Sequence, residues 1–428
     1  MNEIQGSKST VPALPELLAP AGSFEKLVTA IHYGADAVYL SGKRYGLRAK
    51  AVNFDDREIS QAVSYAHAHG VKVYVTVNII AHNDDFAGLA TYLEFLADAQ
   101  VDAIIVSDPG ILQVARQTTP NLSIHLSTQA NVTNLHAAKF WIGHGLSRLN
   151  LARELSFGEI RAIRAHVEAE LEVFVHGALC ISYSGRCMLS NYLTGRDANR
   201  GNCAHPCRYR YSLMEEKRPG EYFPVIEDER GTYIFNSKDL CLLPRLPELV
   251  ALGTDSLKIE GRMKSIFYVG GVVRVYRAAL DYLGSLPAEA WRDPVRIEIP
   301  ASIMEEIERT GTRGMSENFA DHQPSPDDML YDESRIDQQY EPVGVIRDAG
   351  SRLKVELRNV CQIGDSIEFM DTGLTDRWYT VRTMLDENAI EIERANPGDT
   401  VYWILESSDA RFTVNSMFRR KKRAPAGP

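Results

Sequence analysis

Six cysteines are spread over 428 residues, and four of them fall within 28 positions as Cys180-x6-Cys187-x15-Cys203-x3-Cys207. Four thiolates on one short segment can close around Zn2+ or a [4Fe–4S] cluster, since both take four cysteine ligands. Structural zinc sites usually pair ligands as Cys-x2–4-Cys twice, and only Cys203 and Cys207 have that spacing, so zinc is the less favoured of two metals that sequence does not decide between. The competing reading is that these are unligated cysteines, which often serve as small core residues. Four so close together make that reading weaker. Around them Arg186, Arg196, Arg200, Arg208 and Arg210 stand against the single acid Asp197 between positions 182 and 212. Guanidinium groups beside thiolates stabilise a negative cluster, and they also attract phosphates and carboxylates, with Arg208 and Arg210 the candidates for that second role.

A segment of this kind needs a scaffold, and the flanking sequence supplies a regular one. Short β-rich apolar runs at 16–21, 37–41, 72–78, 103–108, 123–129, 148–153, 170–176 and 256–260 alternate with helical periodicity at 23–33, 56–69, 84–99 and 157–166. This is how a parallel α/β fold reads. An open doubly wound sheet shares the pattern. A closed (β/α)8 TIM-like barrel is preferred because a unit of Gly, small residue, Asp and strand recurs near both ends, at Gly34-Ala35-Asp36 and Gly253-Thr254-Asp255. The expected division is a barrel over 14–284 with a cysteine-containing insertion at 177–255, a connector at 285–340 and a small all-β barrel over 341–408. Residues 409–428, with Arg419-Arg420-Lys421-Lys422-Arg423, read as a basic flexible tail that is either solvated or in contact with phosphate. The connector carries a helix at 302–308, and the β domain carries strands at 343–346, 353–357, 366–370, 378–383, 389–392 and 400–404.

Chemistry in such a barrel sits where strands end and βα loops converge. Polar residues at those ends include Asn53, Asn78, Asp108, Gln129, Arg153, Glu154, His176, Lys258, Glu260 and Arg262. Any one of them alone can be read as a cap or an ion-pair partner. Hydrophobic residues at 44% and charged residues at 24% match an ordinary folded chain, and the net charge of −10 argues against indiscriminate coating of nucleic acid. The polar start Met-Asn-Glu-Ile-Gln-Gly has no apolar h-region and no run reaches membrane-spanning length, so a cytoplasmic protein without a membrane partner is expected.

Glu172-Val-Phe-Val-His176-Gly-Ala-Leu-Cys180-Ile-Ser-Tyr-Ser-Gly185-Arg-Cys187-Met-Leu-Ser190 resembles the signature of the collagenase-like "U-thirty-two" peptidase family. Leu18-Ala-Pro20-Ala-Gly22-Ser23, Asn236-Ser-Lys238-Asp239-Leu-Cys241 and Lys258-Ile-Glu260-Gly261-Arg262-Met-Lys264-Ser265 resemble its other blocks. One departure is Asn318, where relatives commonly carry Gly. The resemblance implies either collagen-type peptidase activity or hydroxylation, because members act in prephenate-dependent hydroxylation of the tRNA wobble uridine, in 23S ribosomal RNA cytidine hydroxylation and in oxygen-independent ubiquinone synthesis. The layout of barrel, linker and small β domain is similar to that of the tRNA-acting members.

In the ubiquinone members cysteines hold a [4Fe–4S] cluster. By that resemblance Cys180, Cys187, Cys203 and Cys207 are the ligands here, with Cys241 competing with Cys207 and Cys361 a spare. The expected reaction is hydroxylation of tRNA to 5-hydroxyuridine, fed by an electron-donor protein. Arg153, Lys258 and Arg262 are the candidate cations for the dicarboxylate prephenate, and His176, Glu172 and Glu260 the candidates for proton transfer. A peptidase would need a paired nucleophile, a carboxylate dyad or a metal-bound water. The chain has no His-Glu-x-x-His and no Gly-x-Ser-x-Gly, and Ser182, Ser184 and Ser190 lack a diagnostic partner. A third reading is a non-catalytic scaffold for RNA or protein with a structural metal.

Overall fold

The computed structural model describes residues 11–422 except 47–52, 181, 199–201, 209–212, 215–221, 224–225, 229–230, 234–237, 312–313, 322–337, 351, 376 and 406–411. Strands β1 (Glu16–Pro20), β2 (Ala37–Ser41), β3 (Lys72–Val77), β4 (Ala103–Val106), β5 (Ser123–Leu126), β6 (Arg148–Asn150) and β7 (Glu170–Gly177) run parallel, each paired with the next. After the short β8 (Asp239–Cys241), strand β9 (Ser256–Ile259) pairs with both β7 and β1 and closes the eight-stranded barrel. Leu18, Ala37, Tyr39, Tyr74, Ala103 and Ile105 fill the interior, while alternate residues such as Leu17, Val38 and Val73 pack outward under the helices. Burial on both faces explains why these strands read as continuous apolar runs.

The recurring Gly-x-Asp unit has a definite role. Asp36, Asp102 and Asp255 each accept a hydrogen bond from a backbone N–H of a neighbouring strand, at Leu17, Val73 and Leu171 respectively, over 2.8, 2.7 and 2.8 Å. Each carboxylate pins one strand's register to the next. The residue two before the Asp takes positive φ, at Gly34 (98°) and Gly253 (74°), and in the middle unit Gln100 (60°) takes that place. Helices α1 (Phe24–His32), α2 (Asp56–Ala68), α3 (Leu89–Asp98), α4 (Pro109–Thr118), α5 (Leu135–Gly143) and α6 (Phe157–Arg164) form the outer ring on the β1–β7 side. Ser23, Asp55, Asn134 and Ser156 cap α1, α2, α5 and α6 through side-chain oxygens. The helix expected over 84–99 is divided, because Gly88 at φ 77° separates a 3-10 turn from α3.

The insertion extends the barrel sheet rather than forming a loop alone. β8 pairs antiparallel with the end of β7, setting Cys241 opposite His176, and β10 (Met315–Ser316) lies parallel to β8. The insertion also carries the short helix α7 (Leu189–Thr194), followed later by α8 (Leu246–Ala251), the long α9 (Ile266–Ser285) and α10 (Ala301–Glu308). Asn318, standing where Gly is commonly found, has φ 51°, a left-handed conformation that Asn tolerates better than most side chains. Among the described residues no helix is long and apolar enough to cross a membrane.

The C-terminal domain is a closed antiparallel barrel of β11 (Tyr340–Ala349), β12 (Leu353–Leu357), β13 (Ser366–Met370), β14 (Arg377–Leu385), β15 (Thr400–Leu405) and β16 (Met417–Lys421). Two expectations need correction. Residues 389–392 form a turn and a single bridge instead of a strand. Within the segment 409–428, residues 417–421 are not a free basic tail, for β16 closes the domain between β11 and β13. Arg419 binds Glu306 and Glu368 from this strand, and Arg420 binds Glu341 and Asp365. Those two cations are spent on carboxylates, of which Glu306, Glu368 and Asp365 are buried and Glu341 is half-buried, and do not face phosphate. Arg423 lies outside the described residues.

Candidate functional site

At the end of β7 the chain turns over the barrel mouth, with Gly177 at φ 110°, where a Cβ would sit 2.6 Å from the Glu260 carbonyl oxygen. The segment that follows is clamped at two points. Arg153 Nη1 donates to the Ala178 carbonyl at 2.8 Å, and Asn131 Nδ2 donates to the Ser184 carbonyl at 3.1 Å. Cys180 lies between the two clamps, over the ends of β5 and β6. Gly185, at φ 73°, completes the close approach, since a Cβ there would be 3.3 Å from Gln129 Cβ.

Beyond Cys187, the wholly buried Ser190 accepts a hydrogen bond from Ala204 N at 2.9 Å, and Arg196 donates to the Cys203 carbonyl at 3.1 Å. These contacts return the Cys203 segment to the side of helix α7. The backbone N–H of His205 donates to Cys203 Sγ at 3.3 Å. Cys180 is exposed and Cys187, Cys203 and Cys207 are half-buried, all four free of disulfide bonds, whereas Cys241 and Cys361 are buried. Burial pushes the Cys241 thiol up to about 11, so it stays protonated at neutral pH. Among the described residues no three His, Cys, Asp or Glu side chains are drawn together as a metal cage.

The other expected site residues divide into two groups. Arg153, Glu260 and Arg262 stand at the mouth: Arg153 stacks on the Phe174 ring at 3.8 Å, Tyr39 Oη donates to Glu260 Oε2 at 3.2 Å, and Arg262 donates to Thr76 Oγ1 at 3.2 Å. Glu172 and Lys258 lie deeper. They pair with each other at 2.6 Å inside the barrel, where Asn150 and Arg148 also reach Glu172. Lys258 is thus neutralised by Glu172 and packed against Tyr39 and Phe174, beneath the mouth rather than open to it. The Arg208 side chain and all of Arg210 lie outside the described residues.

His176 is buried beside Tyr268 and Tyr276 of α9, with its Nδ1 3.5 Å from Tyr276 Oη. Burial, with Lys264 nearby, drives it down to about 3, so the ring is neutral at working pH. It suits a hydrogen-bonding role better than delivery of a proton. His32, half-buried at the domain interface 2.8 Å from Ser416 Oγ, falls to about 4 through desolvation. This serine–histidine pair is no nucleophile, because Ser416 has no exposed surface.

A pH dependence follows. Both histidines bind a proton in the unfolded chain below about pH 6.5 but stay neutral in the folded one. Their contribution to stability is complete above that value and declines as pH falls toward 4 for His32 and 3 for His176. Thermal unfolding from about pH 7.5 to about pH 4.5 should show a falling midpoint, by up to ~1.4 kcal/mol per pH unit for each histidine. A midpoint that rises on acidification contradicts the neutral rings.

Sequence reasoning put Asn78 and Gln129 at strand ends but gave them no role, and it passed over Thr76, Ser127 and Asn131. In the structure Asn78 Nδ2 donates to Gln129 Oε1 at 2.6 Å, and Ser127 Oγ donates to the same oxygen at 3.0 Å. Neutral side chains carry no charge signal. Their weight appears only when the loops converge.

Set beside known proteins, residues 22–330 match the model described as "Peptidase family U32", and residues 338–419 match its C-terminal domain. The chain belongs to peptidase family U32. It is 39% identical over 99% of its length to "tRNA hydroxylation protein P1" of Bacillus subtilis, covering 98% of that protein. It is 37% identical to "tRNA hydroxylation protein P" of Escherichia coli, over 83% of this chain and 86% of that one. It is also 44% identical to "Uncharacterized protease MJ0090" of Methanocaldococcus jannaschii, over 62% of this chain and 65% of that one.

Proposed function

We propose that this U32 chain hydroxylates RNA, converting the wobble uridine of tRNA to 5-hydroxyuridine with prephenate as co-substrate. The observation that carries the reading is the end-to-end likeness to the Bacillus subtilis tRNA hydroxylation protein, across both the barrel and the β domain. Arg153 and Arg262 at the mouth would bind the carboxylates of the co-substrate, while Lys258 is held by Glu172 beneath it. Glu260, which accepts a hydrogen bond from Tyr39, would take up a proton.

Cys180, Cys187, Cys203 and Cys207 would hold a [4Fe–4S] cluster. The fit rests on donor chemistry: four unbridged cysteines on the cover of the mouth, with arginines on the same segment. When bound, such a cluster supplies single-electron transfer, fed by an electron-donor protein. A bound zinc ion in its place would favour the hydrolase or scaffold reading.

Deleting the gene and analysing the nucleosides of bulk tRNA tests the reading, which expects loss of 5-hydroxyuridine derivatives. Unchanged levels in a strain without a second enzyme of this kind would sink it. For the RNA interaction, changing Arg208 and Arg210 together to Ala should weaken tRNA binding. It should also flatten the log–log salt dependence by up to about one unit for each phosphate that the two side chains had neutralised. An unaltered slope means that these side chains do not meet phosphate.

A further inference from the structure

On one turn at the barrel mouth, two polar atoms are buried without a partner among the described residues. Gln129, 7% exposed, has its Oε1 fixed by Asn78 and Ser127, which leaves Nε2 as a donor with no acceptor among the described residues. Two residues on, Asn131 uses Nδ2 on the Gln129 and Ser184 carbonyls, and its buried Oδ1 finds no donor among the described residues. An unpaired buried polar group costs about 1–3 kcal/mol unless something else satisfies it. Here a donor and an acceptor are left over on one 3-10 turn, Thr128–Ala130 with Asn131 as its C-cap, directly under the cover that carries Cys180 and Gly185.

We infer that Gln129 and Asn131 form a recognition site for the hydrogen-bonding edge of a nucleobase, with Gln129 donating to a base acceptor and Asn131 accepting from a base N–H. The mixed polarity selects this ligand. A carboxylate or phosphate offers acceptors only and would leave Asn131 Oδ1 unsatisfied, whereas the –CO–NH– edge of uracil carries one group of each kind. This deepens the RNA-modifying reading and rests on it. The site makes Gln129 a specificity-determining residue that the charged candidates do not include.

Gln129→Glu separates recognition from architecture. The new carboxylate keeps an oxygen for Asn78 Nδ2 and Ser127 Oγ, while the free end changes from donor to acceptor. Turnover on tRNA should fall about a hundred-fold in variant protein that is still folded at the assay temperature, as its unfolding midpoint verifies. A second measurement does not depend on catalysis. The full-length protein is titrated with an anticodon stem-loop RNA bearing uridine at the target position, and with the same RNA made abasic there. The wild type should prefer the uridine form by about tenfold, and Gln129→Glu should lose the preference. Wild-type turnover together with a retained preference in the variant overturns the assignment and leaves the hydroxylation reading intact. If the wild type makes no hydroxylated nucleoside, that reading fails, and the binding preference alone decides for or against Gln129.

Discussion

Replacing any one of Cys180, Cys187, Cys203 or Cys207 by Ser is expected to remove most iron from anaerobically purified protein and to abolish RNA modification. A cubane cluster takes four thiolates, and a serine hydroxyl is a poor substitute for one of them. The four share a single cover over the barrel mouth, pinned by Arg153 and Asn131 and folded back by Ser190 and Arg196. Cys241→Ser and Cys361→Ser should change the iron content little. Cys241 is 4% exposed, with its sulfur 3.9 Å from Tyr276 Oη in the packed wall behind β7, and Cys361 is wholly buried in the other domain. That placement favours Cys207 over Cys241 as fourth ligand. Full iron content in the quartet variants would refute the ligand set, and one mole of zinc in place of iron would overturn the redox chemistry built on it.

Arg419→Met should destabilise the protein by about 3–5 kcal/mol, the cost typical of removing one partner from a buried ion pair. The Arg419 guanidinium makes two hydrogen bonds to Glu306 of α10, at 2.6 and 2.7 Å, and two to Glu368 of β13, at 2.9 and 2.7 Å. It therefore ties the connector to the β domain. Glu306 and Glu368 are 3% and 0% exposed, so the substitution leaves two carboxylates buried with, among the described residues, the longer contacts from Arg274 and Arg309, at 3.4 to 3.8 Å. Denaturant unfolding of the full chain measures the cost, and Arg419→Met with Glu306→Gln and Glu368→Gln should recover part of it. A single variant as stable as the wild type would mean that the cluster contributes nothing to holding the connector and β domain together.

Most of the barrel was legible because its signals are local. Strands β2, β12 and β13 fall on the expected residues, and Asp36 and Asp255 announced their equivalence before their shared hydrogen bond to a neighbouring strand was visible. What failed to show depends on partners far along the chain. Arg419 sits in a run of basic residues that reads as solvated, while its carboxylates are 113 and 51 positions away. Lys258 and Glu172, 86 positions apart, each read as a reactive group at a strand end, yet they neutralise each other inside the barrel. The cysteine spacing pointed to one segment. Its seat over β5 and β6 came from Arg153, Asn131 and Gly185, whose types alone say nothing about a cover.

The central claim is that this chain hydroxylates tRNA. It is tested most directly by expressing the chain in a bacterial strain that lacks its own tRNA-hydroxylating proteins and measuring 5-hydroxyuridine derivatives in bulk tRNA by mass spectrometry. The wild-type chain should restore them, and Cys203→Ser, expressed to the same level, should not. Soluble wild-type protein that leaves the tRNA unmodified would contradict it.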